Sequence, residues 1–382
     1  MHEDLLAFRG HYPILDRRTY LVSHSLGAMH RGAQEGMSAY LDSWATGGVS
    51  AWYDWIPELA YVADLVGGLI GAPSGATVMR ANVAVAIGDV ASAIDFTGTR
   101  NKVVYSELEW PGSHYLWREH QRYGARPVVV PGEPDGVHLD VGRLVDEIDE
   151  HTAIVPISHV LFRTSTLIDV QPVVARAHEV GALVLLDCYQ SAGTVPVDVT
   201  ALDVDFAVGG SVKFLCGGPG NGFLYVAPRI ADTLHPARVG WFGHADPFGF
   251  VFDDVQYAGG TMRFTGGTPN VPAAFIAASS YTTLAKIGIP RIRERSQSLT
   301  QQLVDGAQER GFIVRSPLDS AQRGGHVTID PGDAQHVHDE LHARGFSVDH
   351  RPGVGIRVGP HFYNTAEECV AVLDAMAEIR GH

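Results

Sequence analysis

The chain has 382 residues, 45% of them hydrophobic, enough to bury a large core and to divide into one large domain and a smaller one. Its 43 acidic residues outnumber 28 basic ones, and a formal charge of −15 argues against a sequence-independent grip on nucleic-acid phosphates. Three cysteines without CxxC spacing suggest neither a disulfide framework nor a metal site. The acidic start Met1-His2-Glu3-Asp4 is unlike a secretory signal, and no apolar run is long enough to span a bilayer, so a cytoplasmic protein is the expectation.

In chain order, Lys102–Tyr105, Arg126–Val130, Ala153–Ser158, Ala182–Leu186, Phe206–Gly209 and Gly222–Val226 read as short strands apolar on both faces. Helical patterns, Val141–Glu150 and Gln171–Val180, lie between several of them. Strands buried on both faces and alternating with helices predict an α/β fold with a mainly parallel sheet between helical layers. The run Ala182-Leu183-Val184-Leu185-Leu186 is too short for a typical helix and fits a central strand. Pro269 and Pro272 punctuate this region; a helical stretch from Ala273 to Arg310 and a βαβ-like tail from Gly311 to His382 follow. The expected division is a large domain over 45–268, with 1–44 and 269–382 together forming a smaller α+β domain.

Ligands of open parallel sheets sit outside the carboxyl ends of the strands, and Asp187 lies at that end of the Ala182–Leu186 strand. A carboxylate there is costly to bury without a cationic partner, and a protonated pyridine nitrogen is one such partner. Further on, Asp205-Phe206-Ala207-Val208-Gly209-Gly210-Ser211-Val212 runs a second apolar strand into Lys213. Burial disfavours the charged amine, which makes it nucleophilic towards an aldehyde. Taken alone, Asp187 fits a helix cap or a strand-end ion pair, and Lys213 a surface lysine. Together, followed by Gly217-Gly218-Pro219-Gly220, they form the minimal pair for pyridoxal 5'-phosphate (PLP).

The stretch Asp187-Cys188-Tyr189-Gln190-Ser191-Ala192-Gly193-Thr194-Val195-Pro196-Val197-Asp198, with the Lys213 strand after it, resembles class V, fold-type I PLP enzymes. The kynureninase branch is the nearest likeness. It rests on Phe214-Leu215-Cys216-Gly217-Gly218-Pro219-Gly220, Gly240-Trp241-Phe242-Gly243-His244, Arg323-Gly324-Gly325-His326-Val327 and Gly355-Ile356-Arg357-Val358-Gly359-Pro360. Ser25-Leu26-Gly27 after Tyr20-Leu21, and Trp110-Pro111-Gly112-Ser113-His114-Tyr115, extend the same likeness upstream.

The resemblance implies roles. Trp110 would stack on the pyridine face, and Asn82 and Val83 would meet the cofactor phosphate at a helix N-terminus. Ser113 and Ser211 would add hydroxyls, although a strand-end serine meeting water is an equal reading of Ser211. Gln190 would lie near the ring's phenolic oxygen. Trp241 and Thr268 look like phosphate ligands supplied to the neighbouring subunit, which implies a homodimer with both sites at the interface. Arg357, in an apolar strand, would hold the substrate carboxylate. His24 and Arg163 would line the mouth, with a plain surface position an equal reading for each.

Four positions depart from the kynureninase pattern. Val212 and Phe162 stand where tyrosines are expected, Gln190 replaces a histidine, and the segment from Trp44 to Ser50 lacks the histidine that helps hold the aromatic substrate. Two lost tyrosines remove proton donors, whose help contributes typically ~10²–10⁴-fold. Kynureninase-like hydrolytic or lyase cleavage of an amino acid bound as a Schiff base on Lys213 is the first expectation. A class V aminotransferase or epimerase is the alternative. A cysteine desulfurase or C–S lyase is weakened by the absence of cysteine from Ser316–His326, while Cys369 reads as packing. A non-catalytic binding protein is opposed by the presence of both Lys213 and Asp187.

Overall fold

The short apolar runs pair into one seven-stranded sheet, because strands without a polar face must be covered on both sides. The structure, a computed structural model, describes residues 3–252 and 254–381; Met1, His2, Asp253 and His382, included in the expected domain ranges, lie outside the described residues. The strand order across the sheet is Thr77–Arg80, Gly222–Val226, Phe206–Gly210, Leu183–Asp187, Thr152–Ser158, Lys102–Ser106, Arg126–Val130. Gly222–Val226 runs antiparallel to both neighbours, and the other strands share one direction. Successive side chains feed opposite cores. Val184 and Leu186 enter one apolar cluster with Val62, Val66, Leu144 and Val173, whereas Leu185 enters the other with Ile87, Trp117 and Phe264.

The expected helices Val141–Glu150 and Gln171–Val180 are observed as Val141–Asp146 and Gln171–Glu179. The stretch expected from Ala273 to Arg310 is two helices, Val271–Ile287 and Ile289–Glu309, parted at Gly288. The first of these falls within the range expected for the smaller domain. It packs against helices Gly32–Gly47 and Trp52–Leu69, and its Ala274, Ala277 and Tyr281 join the large core together with Leu5, Tyr12 and Leu15. A separate small core joins Leu21 to Leu299, Leu303, Ile329, Leu341, Ile356 and Met376. Its sheet is antiparallel, in the order Asp349–Arg351, Gly355–Val358, Val327–Asp330, Ile313–Val314, rather than the βαβ-like tail expected. No helix among the described residues is long and apolar enough to cross a membrane.

Candidate active site

A cavity of about 390 Å³ opens where the carboxyl ends of the parallel strands meet the Asp349–Arg351 and Gly355–Val358 hairpin. Its walls include Asp187, Tyr189, Val212 and Lys213 from the large sheet, Trp110 and Ser113 from the segment after Lys102–Ser106, and Asn82 and Val83. The small sheet contributes Arg351 and Arg357, and the N-terminal segment His24 and Ser25. That segment is held close: the Gly27 amide donates to the Val212 carbonyl at 2.7 Å, and a Cβ on Gly27 would stand 2.1 Å from the Lys213 carbonyl oxygen.

Asp187 ends its strand at 8% exposure, and one carboxylate oxygen accepts the Tyr189 amide at 2.7 Å. Burial raises its pKa, opposed by that hydrogen bond and by Lys213. Burial lowers the pKa of Lys213, opposed by Asp187, while Arg357 and Arg351 push it further down. The Lys213 Nζ lies 5.8 Å from the centroid of the Trp110 ring and 4.2 Å from that of Tyr189. Helix Val83–Ala91 begins at the cavity wall, with the Asn82 side chain accepting the Val85 amide at 2.9 Å. The first-turn amides of Val83 and Ala84 have no intrahelical acceptor, as at any helix start.

The hairpin assembles a charged hub. Asp349 and Arg357 are directly opposed across the two strands, so their side chains meet. Arg357 Nε donates to Asp349 Oδ1 at 2.8 Å, Nη2 donates to Oδ2 at 2.5 Å, and Nη1 donates to the Phe162 carbonyl at 2.6 Å. Arg351 Nη2 adds an ion pair to Asp349 at 3.1 Å, and His24 Nε2 lies 3.1 Å from Asp349 Oδ1. Burial would raise the Asp349 carboxyl, but His24 and Arg357 outweigh it and hold the acid well below the usual range. Burial pulls His24 down to about 4, opposed by Asp349.

Of the residues expected at the site, the structure brings Lys213, Asp187, Trp110, Asn82, Val83, Ser113, Arg357 and His24 to one cavity. His24 is fully buried, not a surface residue. The others stand apart from its walls. The Ser211 hydroxyl is paired with the Tyr281 hydroxyl. Gln190 lies behind the wall and donates to the His24 carbonyl at 3.1 Å. Phe162 sets its ring edge-on to Trp110 at 4.9 Å between centroids, and Arg163 is exposed. Trp241 gives its indole N–H to the Pro247 carbonyl, and Thr268 is exposed; neither reaches this chain's own cavity.

Arg357 reaches the cavity with its fork already filled by Asp349, a commitment that the apolar strand pattern did not show. Asp349, Arg351, Tyr189 and Glu109 were missed. Hairpin pairing across Pro352-Gly353 was the available signal for the first two. Glu109 is buried, accepts the Ser158 amide at 2.9 Å, and is pushed up to about 7, mainly by burial, with Asp187 adding to the rise. All three cysteines are buried, and none lines the cavity.

Residues 54–377 match the family described as aminotransferase class V. An uncharacterized aminotransferase of Bacillus subtilis, YcbU, is 31% identical over 97% of this chain and 96% of its own. A kynureninase of Bacillus anthracis is 28% identical over 96% of this chain and 89% of its own. Among solved structures, an apo cysteine desulfurase from Thermococcus onnurineus superposes with a TM-score of 0.88 at 22% identity, covering 98% of both chains. That last likeness bears on the fold alone.

PLP needs an amine, an acid for its pyridine nitrogen, an apolar ring face and donors for a dianion. The cavity carries each of them in Lys213, Asp187, Trp110 and the first turn of Val83–Ala91. The buried Gln190 Oε1, without a protein partner, is a further polar atom beneath the same wall. The fit is good, and the chain is a member of the class V aminotransferase family, a PLP-dependent enzyme.

Proposed function

We propose that this enzyme binds an α-amino acid at the cavity and cleaves it in the kynureninase manner, with a hydrolytic or lyase outcome. The observation that carries the reading is the convergence of Lys213, Asp187 and Trp110 on one cavity that also presents two arginines. Lys213 would hold the cofactor through its amine, and that amine is the group placed to move a proton at the substrate's α-carbon. Asp187 would keep the pyridine nitrogen charged, and Trp110 would offer the ring an apolar face. The Val83 and Ala84 amides, with Asn82 and Ser113, would take the phosphate. When bound, PLP supplies an electron sink for the bond that breaks.

The two arginines outnumber Asp349, so the N–H groups it leaves unengaged would hold the substrate carboxylate, with Asp349 aligning the Arg357 plane. Trp241 and Thr268, outside their own chain's cavity, are offered to a second subunit, so the working unit is a homodimer. A division into a large domain and a smaller one is part of the same proposal, supported by two separate apolar cores.

The absence of a tyrosine at Val212 and Phe162, and the 31% identity to a protein named an aminotransferase, favour transamination or epimerisation as the second reading. Product analysis decides between them. Incubation with L-kynurenine is expected to release L-alanine and anthranilate. Conversion of pyruvate or 2-oxoglutarate into the matching amino acid, with no cleavage product, would overturn the first reading in favour of the second.

A further inference from the structure

Tyr189 touches the same amine as the cofactor reading, yet none of the roles above needs it. Its amide is tied to Asp187 Oδ1 at 2.7 Å, which fixes its backbone beside the acid. Its ring lies across Gly210: a Cβ there would stand 2.4 Å from Cε2 and 2.5 Å from Cζ, so the strand is pared back to admit the ring. Lys213 Nζ sits 4.2 Å from the ring centroid, closer than to Trp110 at 5.8 Å. Burial, with help from Asp187, pushes the phenol up to about 12, so the ring stays neutral at ordinary pH and keeps an undisturbed π face.

We propose that Tyr189 is a positioning residue for Lys213, its ring face holding the free ammonium over Gly210 whenever the amine is not joined to the cofactor. The proposal rests on Lys213 being the cofactor lysine. A cation above an aromatic face is attracted by the ring quadrupole, and the attraction grows when water is excluded. The ring thus works with Asp187 and Asp349, and against Arg351 and Arg357, for the charge on Lys213; His24 and His326 complete its titratable surroundings. The consequence is an amine parked in one place, ready for the cofactor. The phenol hydroxyl is not required for this; the π face is.

The test separates ring from hydroxyl in the full-length chain. Wild-type, Tyr189→Phe and Tyr189→Leu proteins, freed of cofactor, are exposed to pyridoxal and borohydride across a pH series, and labelling of Lys213 is followed by peptide mass. Tyr189→Phe is expected to keep the wild-type midpoint, and Tyr189→Leu to move it down by about half a unit to one unit. A Tyr189→Leu midpoint that matches wild type, or a Tyr189→Phe midpoint that moves as far as the leucine variant's, overturns the proposal. Tyr189→Met fills the space without a π face and repeats the comparison should the leucine variant melt early. A wild-type chain that takes no label at Lys213 under any condition overturns the cofactor reading and this proposal together.

Discussion

Asp187 and Lys213 owe their chemistry to where they stand: each ends or follows a buried strand, and each opposes the shift that burial imposes on the other. Lys213→Ala is expected to lose proton transfer at the substrate, a fall in turnover of roughly 10²–10⁴-fold, read by steady-state kinetics at saturating PLP. These two residues were legible because a polar residue after an apolar strand is conspicuous. Arg357 was legible as a buried cation but not as one already paired, because its partner depends on hairpin register. Asp349→Ala strips Arg357, His24 and Arg351 of their shared acceptor. Removing one member of a buried pair costs about 3–5 kcal/mol, so a clear drop in melting temperature is expected. An unchanged melt would show that the hub is looser than its hydrogen bonds suggest.

Among the elements, helix Val83–Ala91 matters most to the site, because its first turn borders the cavity and its cap is a single asparagine. Asn82→Ala is expected to cost about 0.5–2 kcal/mol of stability and to weaken PLP binding, measured by melting and by cofactor titration. An equal affinity for PLP would remove this helix from the phosphate site. The central strands were legible because continuous apolar runs between polar stretches have few other structural uses. Thr77–Arg80 was not, since four residues with an arginine at the end carry little pattern. Helix Trp52–Leu69 was hidden by Pro57 and by apolar residues on several sides, which blur the helical period. The Val271–Ile287 helix was recognised, but its packing against Gly32–Gly47 and Trp52–Leu69 was not, because a largely apolar helix does not say which neighbour will cover it.

Across the whole molecule, several histidines are buried in the neutral state. His24, His30 and His159 are all pulled from 6.5 down to about 4, chiefly by burial. Above about pH 6.5 neither the folded nor the unfolded chain protonates them. Between 6.5 and 4 only the unfolded chain takes up the protons, so acid favours unfolding over that window. The melting temperature is therefore expected to fall as pH is lowered from 7 to 4.5, and a flat profile would contradict the burial of these rings. The fold class could be read from the sequence, since alternating apolar strands and helices admit few architectures. The meeting of two cores around one cavity could not, because residues as distant as His24, Asp187 and Arg357 are joined only by the folded chain.

The most direct measurement is borohydride reduction of the PLP-loaded enzyme followed by peptide mapping. The phosphopyridoxyl group is predicted on Lys213 alone, with the visible chromophore lost in Lys213→Ala. Cofactor fixed to another lysine, or a Lys213→Ala protein with the wild-type chromophore, would contradict the assignment of this cavity as the catalytic centre.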